Sequence, residues 1–313
     1  LHRPRQIQKY RMGGICLNAY TVESETERCP FCGKPIVYGH TELMGVYYSQ
    51  PLECPCVTEK KAMERAARIA EGREIVRNNM REYSGLSKRA VRQRFRNFKP
   101  DDGQKEAFEA ARRFAKEYIE GKNTGTGLLF IGGVGSGKSH IAAAVINAIL
   151  DYIPIPDDVA DGADGRTAIY TGVRFVGTVK LLEQLRASYN DSESAQDIIR
   201  RYQESKLLVL DDLGAEKPSD WARERLFDII DSRYNQCLPI IITTNEDVQG
   251  LRQKLGDRIC DRIRSMCATH TVITRSHRNT ADNRQPEVES GTDFEEPPVI
   301  PPKEKSVYER MRE

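Results

Sequence analysis

Two stretches of the chain carry residue types in an order suited to phosphate and metal chemistry. The first is GGVGSGKS, residues 132–139, in which Gly132, Gly133, Val134, Gly135, Ser136 and Gly137 lead into Lys138 and Ser139. A short apolar strand, 128–131, runs into it and a helix with apolar periodicity follows at once, so the G-x-x-x-x-G-K-S pattern stands in the strand, loop and helix context it requires. Glycines let backbone N–H groups turn inward around phosphates, and the helix N-terminus adds its positive end. Lys138 would reach the terminal phosphates of a nucleotide, Ser139 would ligate magnesium, and His140 continues the phosphate-binding stretch. The second is LLVLDDLG, residues 207–214, an apolar run that stops on Asp211 and Asp212. One carboxylate at the end of a buried strand suits magnesium, and Asp211 falls opposite Ser139. A second acid beside it adds repulsion and desolvation cost, so Asp212 needs a task of its own. Asn245, at the end of IIITTN, falls on the same sheet edge. Its amide could orient a water or touch the γ-phosphate, or it could cap a turn.

A different chemistry is written near the N-terminus. Four of the eight cysteines, Cys29, Cys32, Cys54 and Cys56, form two close pairs in CPFCGKPIVYGHTELMGVYYSQPLECPC. Each pair offers two thiolates from one turn, and the stretch between folds back as a hairpin, which suits a tetrahedral zinc ion. The second pair is C-x-C, tighter than the usual C-x-x-C. His40 or Cys16 could replace one ligand, and reduced, unligated thiols are the plain alternative. A module with so few apolar residues would draw folding energy rather than catalysis from the metal.

These residues need elements to position them. Around the two phosphate-site motifs the pattern is α/β: a helix opened by Asp101 and Asp102 and closed at Gly121, with Phe108, Ala111, Phe114, Ala115 and Tyr118 on its apolar face, then strands in GLLFI, TAIYTGVRFV, SKLLVLDDLG, LPIIITTNE and THTVITR with helices between them. That alternation predicts a parallel sheet whose strand carboxyl ends line a site. Between the cysteines and this domain, residues 59–99 hold thirteen Lys or Arg and five Asp or Glu. Ala62, Ala66, Ile69, Val76 and Met80 fall at helical spacing there, with a break near YSGLS. The segment is either a solvated linking helix or a basic strut that touches phosphates or an acidic partner surface.

The expected layout is therefore a zinc-binding module over 1–57, a basic helical linker over 58–97, a nucleotide-binding α/β domain over 98–279 and an unstructured, proline-rich tail over 280–313. The acidic PIPDDVADGADGR stretch reads as a disordered loop. With 313 residues, 39% of them hydrophobic and 30% charged, and with no apolar run near the ~20 residues of a membrane span, the expectation is a cytoplasmic protein without a membrane partner. The basic LHRPRQIQKYRMGG start lacks the apolar stretch of a secretory signal, and a first residue of Leu points to a fragment or a non-standard start.

Five segments together, FKPDDGQKEAFEAARRFA, GGVGSGKSHIAAAVINAIL, LLVLDDLGAEKPSDWARERLFDIIDSRYN, IIITTNE and LGDRICDRIRS, resemble the bacterial helicase loaders of the DnaC/DnaI type and the related IstB-type transposition ATPases, both of the AAA+ class. The resemblance spans about residues 98–279, and the cysteine module is similar to the zinc-binding domain of DnaI-like loaders. It implies an AAA+ P-loop fold, ATP and magnesium held by the phosphate loop and Asp211, and Asn245 as first sensor. Asp212 stands where most AAA+ motors place a longer Glu that activates water. Arg262 matches an arginine that reaches into a neighbouring subunit's site, with Arg258 one turn earlier, and Arg278 matches a second sensor. For the two arginines of 257–262, pairing with Asp257 and Asp261 along the helix is the alternative. The implied activity is slow, partner-stimulated ATP hydrolysis in a homo-oligomer that grips single-stranded DNA and loads a replicative hexameric helicase. Lys180, Arg186 and Tyr189 are candidate DNA contacts. A transposition helper that recruits a transposase to duplex DNA and a non-hydrolysing, ATP-gated adaptor are the competing functions.

Overall fold

The computed structural model describes residues 7–12, 15–43, 46–163, 172–188, 194–215, 219–273 and 293–294. The chain forms two compact units, Leu1–Arg73 with Asp157–Gly162 and Glu74–Pro156 with Ala163–Glu313.

The first unit holds an antiparallel meander of β1 (Ile7–Met12), β2 (Ile15–Arg28), β3 (Pro35–Leu43) and β4 (Val46–Pro51), paired in that order. The β3–β4 hairpin is the fold-back expected between the cysteine pairs. The extension into a four-stranded sheet was not legible, because β1 and β2 lack a clean alternation of apolar and polar residues. After β4 comes α1 (Pro55–Tyr83), with Pro55 at its first position, where a missing N–H costs nothing. Ile69, Val76 and Met80 are buried as their spacing predicts, but Ala62 and Ala66 are exposed. The early turns of this helix are therefore coated by solvent on all sides.

The acidic stretch, expected to be a loop, forms a short helix α4 (Asp157–Ala160). Asp157 in it and Asp161 after it are paired. Arg65 and Arg68 donate to the two oxygens of Asp161 at 3.1 and 3.2 Å, and Arg73 donates to Asp157 at 2.6 Å. The Arg65 bond, aided by Arg68, holds the Asp161 carboxyl below the usual range. A Cβ at Gly72 would stand 1.9 Å from the Ala160 carbonyl oxygen, so the close approach needs glycine. Part of the basic segment thus finds its acidic partner within its own chain.

In the second unit, α2 (Asp102–Ile119) is opened by a capping box between Asp101 and Gln104 and buries Ala107, Phe108, Ala111, Phe114 and Ala115. A five-stranded parallel sheet follows, in the order β6 (Val173–Gly177), β7 (Leu207–Asp211), β8 (Ile240–Thr244), β5 (Gly127–Ile131), β9 (Cys267–Thr271). Helices flank it: α3 (Lys138–Tyr152), α5 (Thr178–Ala187), α6 (Ala195–Gln203), α7 (Asp220–Asn235), α8 (Val248–Leu255) and α9 (Asp257–Met266). Central strands covered on both faces must be continuously apolar, which is why 207–210 and 240–242 read as unbroken Leu, Val and Ile runs. The second strand is described only as Val173–Gly177; the earlier part of TAIYTGVRFV lies outside the described residues. The last strand sits two residues before the expected THTVITR.

A charged side chain, Arg233, lies wholly inside. Arg233 of α7 donates to the carbonyls of Tyr202, Ser205 and Pro239 at 2.9, 2.6 and 2.6 Å and to Ser205 Oγ at 2.9 Å. It ties the end of α6 to the turns that enter β7 and β8. Most of the tail lies outside the described residues, but Asp293 and Phe294 are buried, unlike the unstructured tail expected. No helix among the described residues is long and apolar enough to cross a membrane.

Candidate nucleotide site and cysteine cluster

The loop between β5 and α3 is set by backbone conformation. Gly135 and Gly137 hold φ of 82° and 94°, and a Cβ on Gly137 would meet the Phe98 ring at 2.7 Å. Phe98 stacks on Phe108 at 5.6 Å and leans on His140 at 5.0 Å, so the segment entering α2 walls one side of the loop. Gln104 Nε2, buried, donates to the Ser136 carbonyl at 2.9 Å while its Oε1 accepts the Asp101 N–H at 2.8 Å. Gln104 is a functional candidate that motif reading missed; the D-x-x-Q capping pattern at 101–104 was the available signal.

Lys138 is buried and donates to the carbonyls of Gly132 and Gly133 at 2.7 and 2.8 Å, to Ser136 Oγ at 3.3 Å and to Asn245 Oδ1 at 2.9 Å. Asn245 Nδ2 in turn donates to Asp212 Oδ1 at 2.5 Å. One chain of polar contacts therefore joins the phosphate loop, the end of β8 and the acid after β7. His140 turns away from this chain: its Nε2 lies 3.0 Å from the Arg94 carbonyl, and burial lowers its pKa. Its side chain packs the wall beside Phe98.

Asp211 and Asp212 face different surroundings. Burial raises the Asp211 carboxyl, while hydrogen bonds from Thr243 and Ser139 oppose the rise. Thr243 Oγ1 donates to Asp211 Oδ1 at 2.7 Å and accepts the Asp212 N–H at 2.9 Å. Thr243 was missed because a threonine closing an IIITT strand is indistinguishable in sequence from a strand former. The Ser139 hydroxyl and the Asp211 carboxylate, brought together by α3 and β7, are hard oxygen donors of the kind magnesium takes. Asp212 sits in the left-handed region at φ 59°, which Asp tolerates better than most residues. Its second carboxylate oxygen makes no hydrogen bond among the described residues.

Arg262 does not join this cluster. Its Nε donates to Asp231 of α7 at 2.8 Å, its guanidinium lies 4.5 Å over the Tyr234 ring, and Asp261 stands 3.9 Å away. Self-pairing along α9 is therefore a minor feature; Asp257 pairs with Arg252 of α8 at 2.8 Å. Arg258 is exposed. Lys180 and Arg186 are exposed on α5, the latter with its guanidinium 4.8 Å over Trp221. Arg278 and Tyr189 lie outside the described residues.

The four cysteines converge. All four Sγ atoms lie within 4.8 Å of one another. Cys29 to Cys56 and Cys32 to Cys54 are both 3.5 Å, and Cys54 to Cys56 is 3.4 Å. A tetrahedral zinc with Zn–S bonds of ~2.3 Å spaces its sulfurs at about 3.8 Å, so the donor set fits the ion in chemistry and in size. The turn behind the first pair is closed by Gly33 N–H to Cys29 O at 2.9 Å and Cys29 N–H to Lys34 O at 2.8 Å. Backbone N–H groups of Cys32 and Phe31 aim at the Cys29 sulfur and pull its pKa down to about 6, while hydrogen bonding to Cys32 and burial push the Cys56 thiol up, so Cys29 ionises before Cys56. His40 is not part of the cluster, and the Cys16 side chain lies outside the described residues.

The sequence profile of the IstB-like ATP binding protein family matches residues 161–284. The uncharacterized protein YdaV of Escherichia coli (strain K12) is 31% identical over 163 residues, covering 52% of this chain and 58% of that protein, so the chain spans little more than half of YdaV. The replicative helicase loader DnaC of the same strain is 23% identical over 208 residues, covering 66% of this chain and 77% of DnaC. Among solved structures, a crystal structure of the DnaC helicase loader matches 60% of this chain and 100% of its own, with 28% identity and a TM-score of 0.49. A phosphate loop on a parallel sheet and adjacent acids at the end of β7 thus stand in a chain that is similar to IstB-like ATP binding proteins and to DnaC.

Proposed function

We propose that the protein is an ATP-driven loader of a replicative DNA helicase, working as a nucleotide-switched oligomer on single-stranded DNA. The observation that supports it most directly is the polar chain Lys138–Asn245–Asp212, set beside the Ser139–Asp211 pair. In this reading the backbone of 132–139 and Lys138 hold the phosphates of ATP, and Ser139 and Asp211 hold magnesium. The ion, when bound, neutralises charge on the transferred phosphoryl group. Asn245 orients Asp212, whose free oxygen accepts a proton from the attacking water. An Asp reaches one methylene less far than a Glu, which suits slow, switch-like turnover. Lys138 exchanges its bonds to the Gly132 and Gly133 carbonyls for phosphate oxygens, which alters its hold on Asn245 and so couples occupancy to the Asp212 side.

Arg262 supplies no cation to its own chain's site, being committed to Asp231 and Tyr234. A neighbouring subunit's Arg262 fills that role in our reading, and Arg278 serves as the cis sensor. The cysteine cluster holds zinc, and the meander it anchors is the docking module for the helicase. DnaC is named a replicative helicase loader, which supports the choice of partner. The family match supports a second reading, a transposition helper acting on duplex DNA. Co-purification with the hexameric helicase decides between them: a stable complex, with turnover stimulated by single-stranded DNA, is expected. If no helicase associates and duplex DNA alone promotes oligomers, the loader reading fails.

A further inference from the structure

Away from the nucleotide site, two tail residues are inserted into the second unit and held by backbone, charge and ring contacts together. Asp293 and Phe294 are only 4% and 5% exposed, although they belong to a polar, proline-rich segment. The Asp293 carboxylate lies 3.8 Å from both the Arg94 and the Arg96 guanidinium groups, and its Oδ1 accepts the Arg96 backbone N–H at 3.4 Å. Its own N–H donates to Tyr152 Oη at 3.3 Å, and its carbonyl accepts from Arg112 at 3.4 Å. The Phe294 ring meets Tyr152 edge-on at 5.4 Å and Phe95 at 6.4 Å. A buried carboxylate is costly unless paired, and a buried aromatic needs ring partners; Arg94 and Arg96 offset that cost in part, burial still raising the carboxyl's pKa, and Phe95 and Tyr152 supply the rings.

The receiving surface is itself held in place. Phe95 packs edge-on against Phe108 of α2 at 5.5 Å. Asn147 of α3 donates to the carbonyls of Ala90 and Gln93 at 2.9 and 2.8 Å, fixing the short helical turns that carry the arginines. Arg94 also pairs with Asp151, which in turn accepts from Arg81 at 2.5 Å, so the socket keeps its shape without depending on the tail alone.

We propose that Arg94, Arg96, Arg112, Phe95 and Tyr152 form a recognition socket for an Asp-Phe dipeptide, and that the chain's own Asp293–Phe294 is its occupant. Main-chain bonds set the direction of the peptide, the arginine pair selects a carboxylate, and the ring pair selects an aromatic residue after it. The tail is thereby tethered to the ATPase unit at one point. Because the Arg94 carbonyl also meets His140 in the first turn of α3, occupancy braces the wall beside the phosphate loop.

The test uses the full chain and a fluorescent peptide of residues 290–298. In an Asp293→Ala/Phe294→Ala chain, checked by thermal unfolding, the socket is empty and the peptide is expected to bind at least tenfold more tightly than to the unaltered chain. Adding Arg96→Glu to that chain is expected to abolish binding. Amide exchange over 90–97 should quicken in the emptied chain and slow again when the peptide is added. The proposal is overturned if the peptide binds neither chain, if it binds both equally, or if the unaltered chain excludes it only at concentrations where copies self-associate. The last result would mean that a second copy's tail fills the socket.

Discussion

The hydrogen bond from Asn245 to Asp212 leaves one carboxylate oxygen open among the described residues, and the proposed function gives that oxygen, rather than Asp211, the proton of the attacking water. Asp212→Asn preserves shape and hydrogen bonding to Asn245 while removing the proton acceptor; ATP binding should persist, and turnover should fall by about 10²-fold or more, read by phosphate release against a nucleotide-fluorescence titration. Retained turnover would return Asp212 to a structural role. Asp211 predicts a pH effect of defined sign. Its carboxyl is raised by burial, so without a divalent ion its ionised form destabilises the folded chain. Destabilisation of this kind is present above the raised folded pKa and vanishes below the lower pKa of the unfolded chain. Asp211→Asn should therefore melt above the parent at neutral pH in chelator, with the gap closing as pH falls through the carboxylate range. A constant gap would place the cause elsewhere than ionisation. Thr243 belongs with these acids, since its hydroxyl bonds both, yet only the folded β8 shows it.

At the scale of elements, the sheet and its helices were readable because burial on two faces forces continuous apolar runs and because Asp101, Gly121 and the glycine loop punctuate them. The N-terminal meander was not, since the Gly13-Gly14 turn signal within 1–28 is not flanked by period-two alternation that would mark strands on either side of it. Helix α4 escaped for another reason: the residues met there, Gly72 with Arg65, Arg68 and Arg73, are about 90 residues away in sequence, and no local pattern reports such partners. Arg233 is the same case inside the core. An arginine in a surface-patterned helix reads as exposed, whereas this one ties α6, β7 and β8 together. Arg233→Met keeps much of the volume and strands several buried carbonyls, each worth about 1–3 kcal/mol when unsatisfied. Urea unfolding should show a loss of at least about 3 kcal/mol; a loss below 1 kcal/mol would mean water replaces the guanidinium. The cysteine turn makes a contrasting prediction: Cys32→Ser should release zinc, measured by metal content per chain, and loosen the β3–β4 hairpin to amide exchange. Nucleotide affinity, carried by the other unit, should stay unchanged.

At the scale of the whole molecule the question is whether one chain is a complete machine. The cis site gathers the loop, the candidate magnesium ligands Ser139 and Asp211, Asn245 and Asp212, but Arg262 is held on α9 against Asp231 and Tyr234, partners that orient its guanidinium without consuming all of its donors. An ion pair of that kind, about one-third exposed, is weak enough to serve as a holder rather than a lock. Two defects should then complement each other. Arg262→Ala leaves an intact cis site and no arginine to donate; Asp212→Asn leaves an arginine to donate and a dead cis site. Each variant alone should hydrolyse ATP at a small fraction of the parental rate. Mixed in equal amounts, they place some intact cis sites beside an intact Arg262, so turnover should rise several-fold above the sum of the two and should grow with total protein concentration. Asp231→Ala, which frees Arg262 from its holder, should lower the maximal rate more than the nucleotide affinity, and Asp231→Glu should restore part of it. If the mixture gives only the sum of its components at every concentration, Arg262 does not act across subunits, and its contacts with α7 are its whole role.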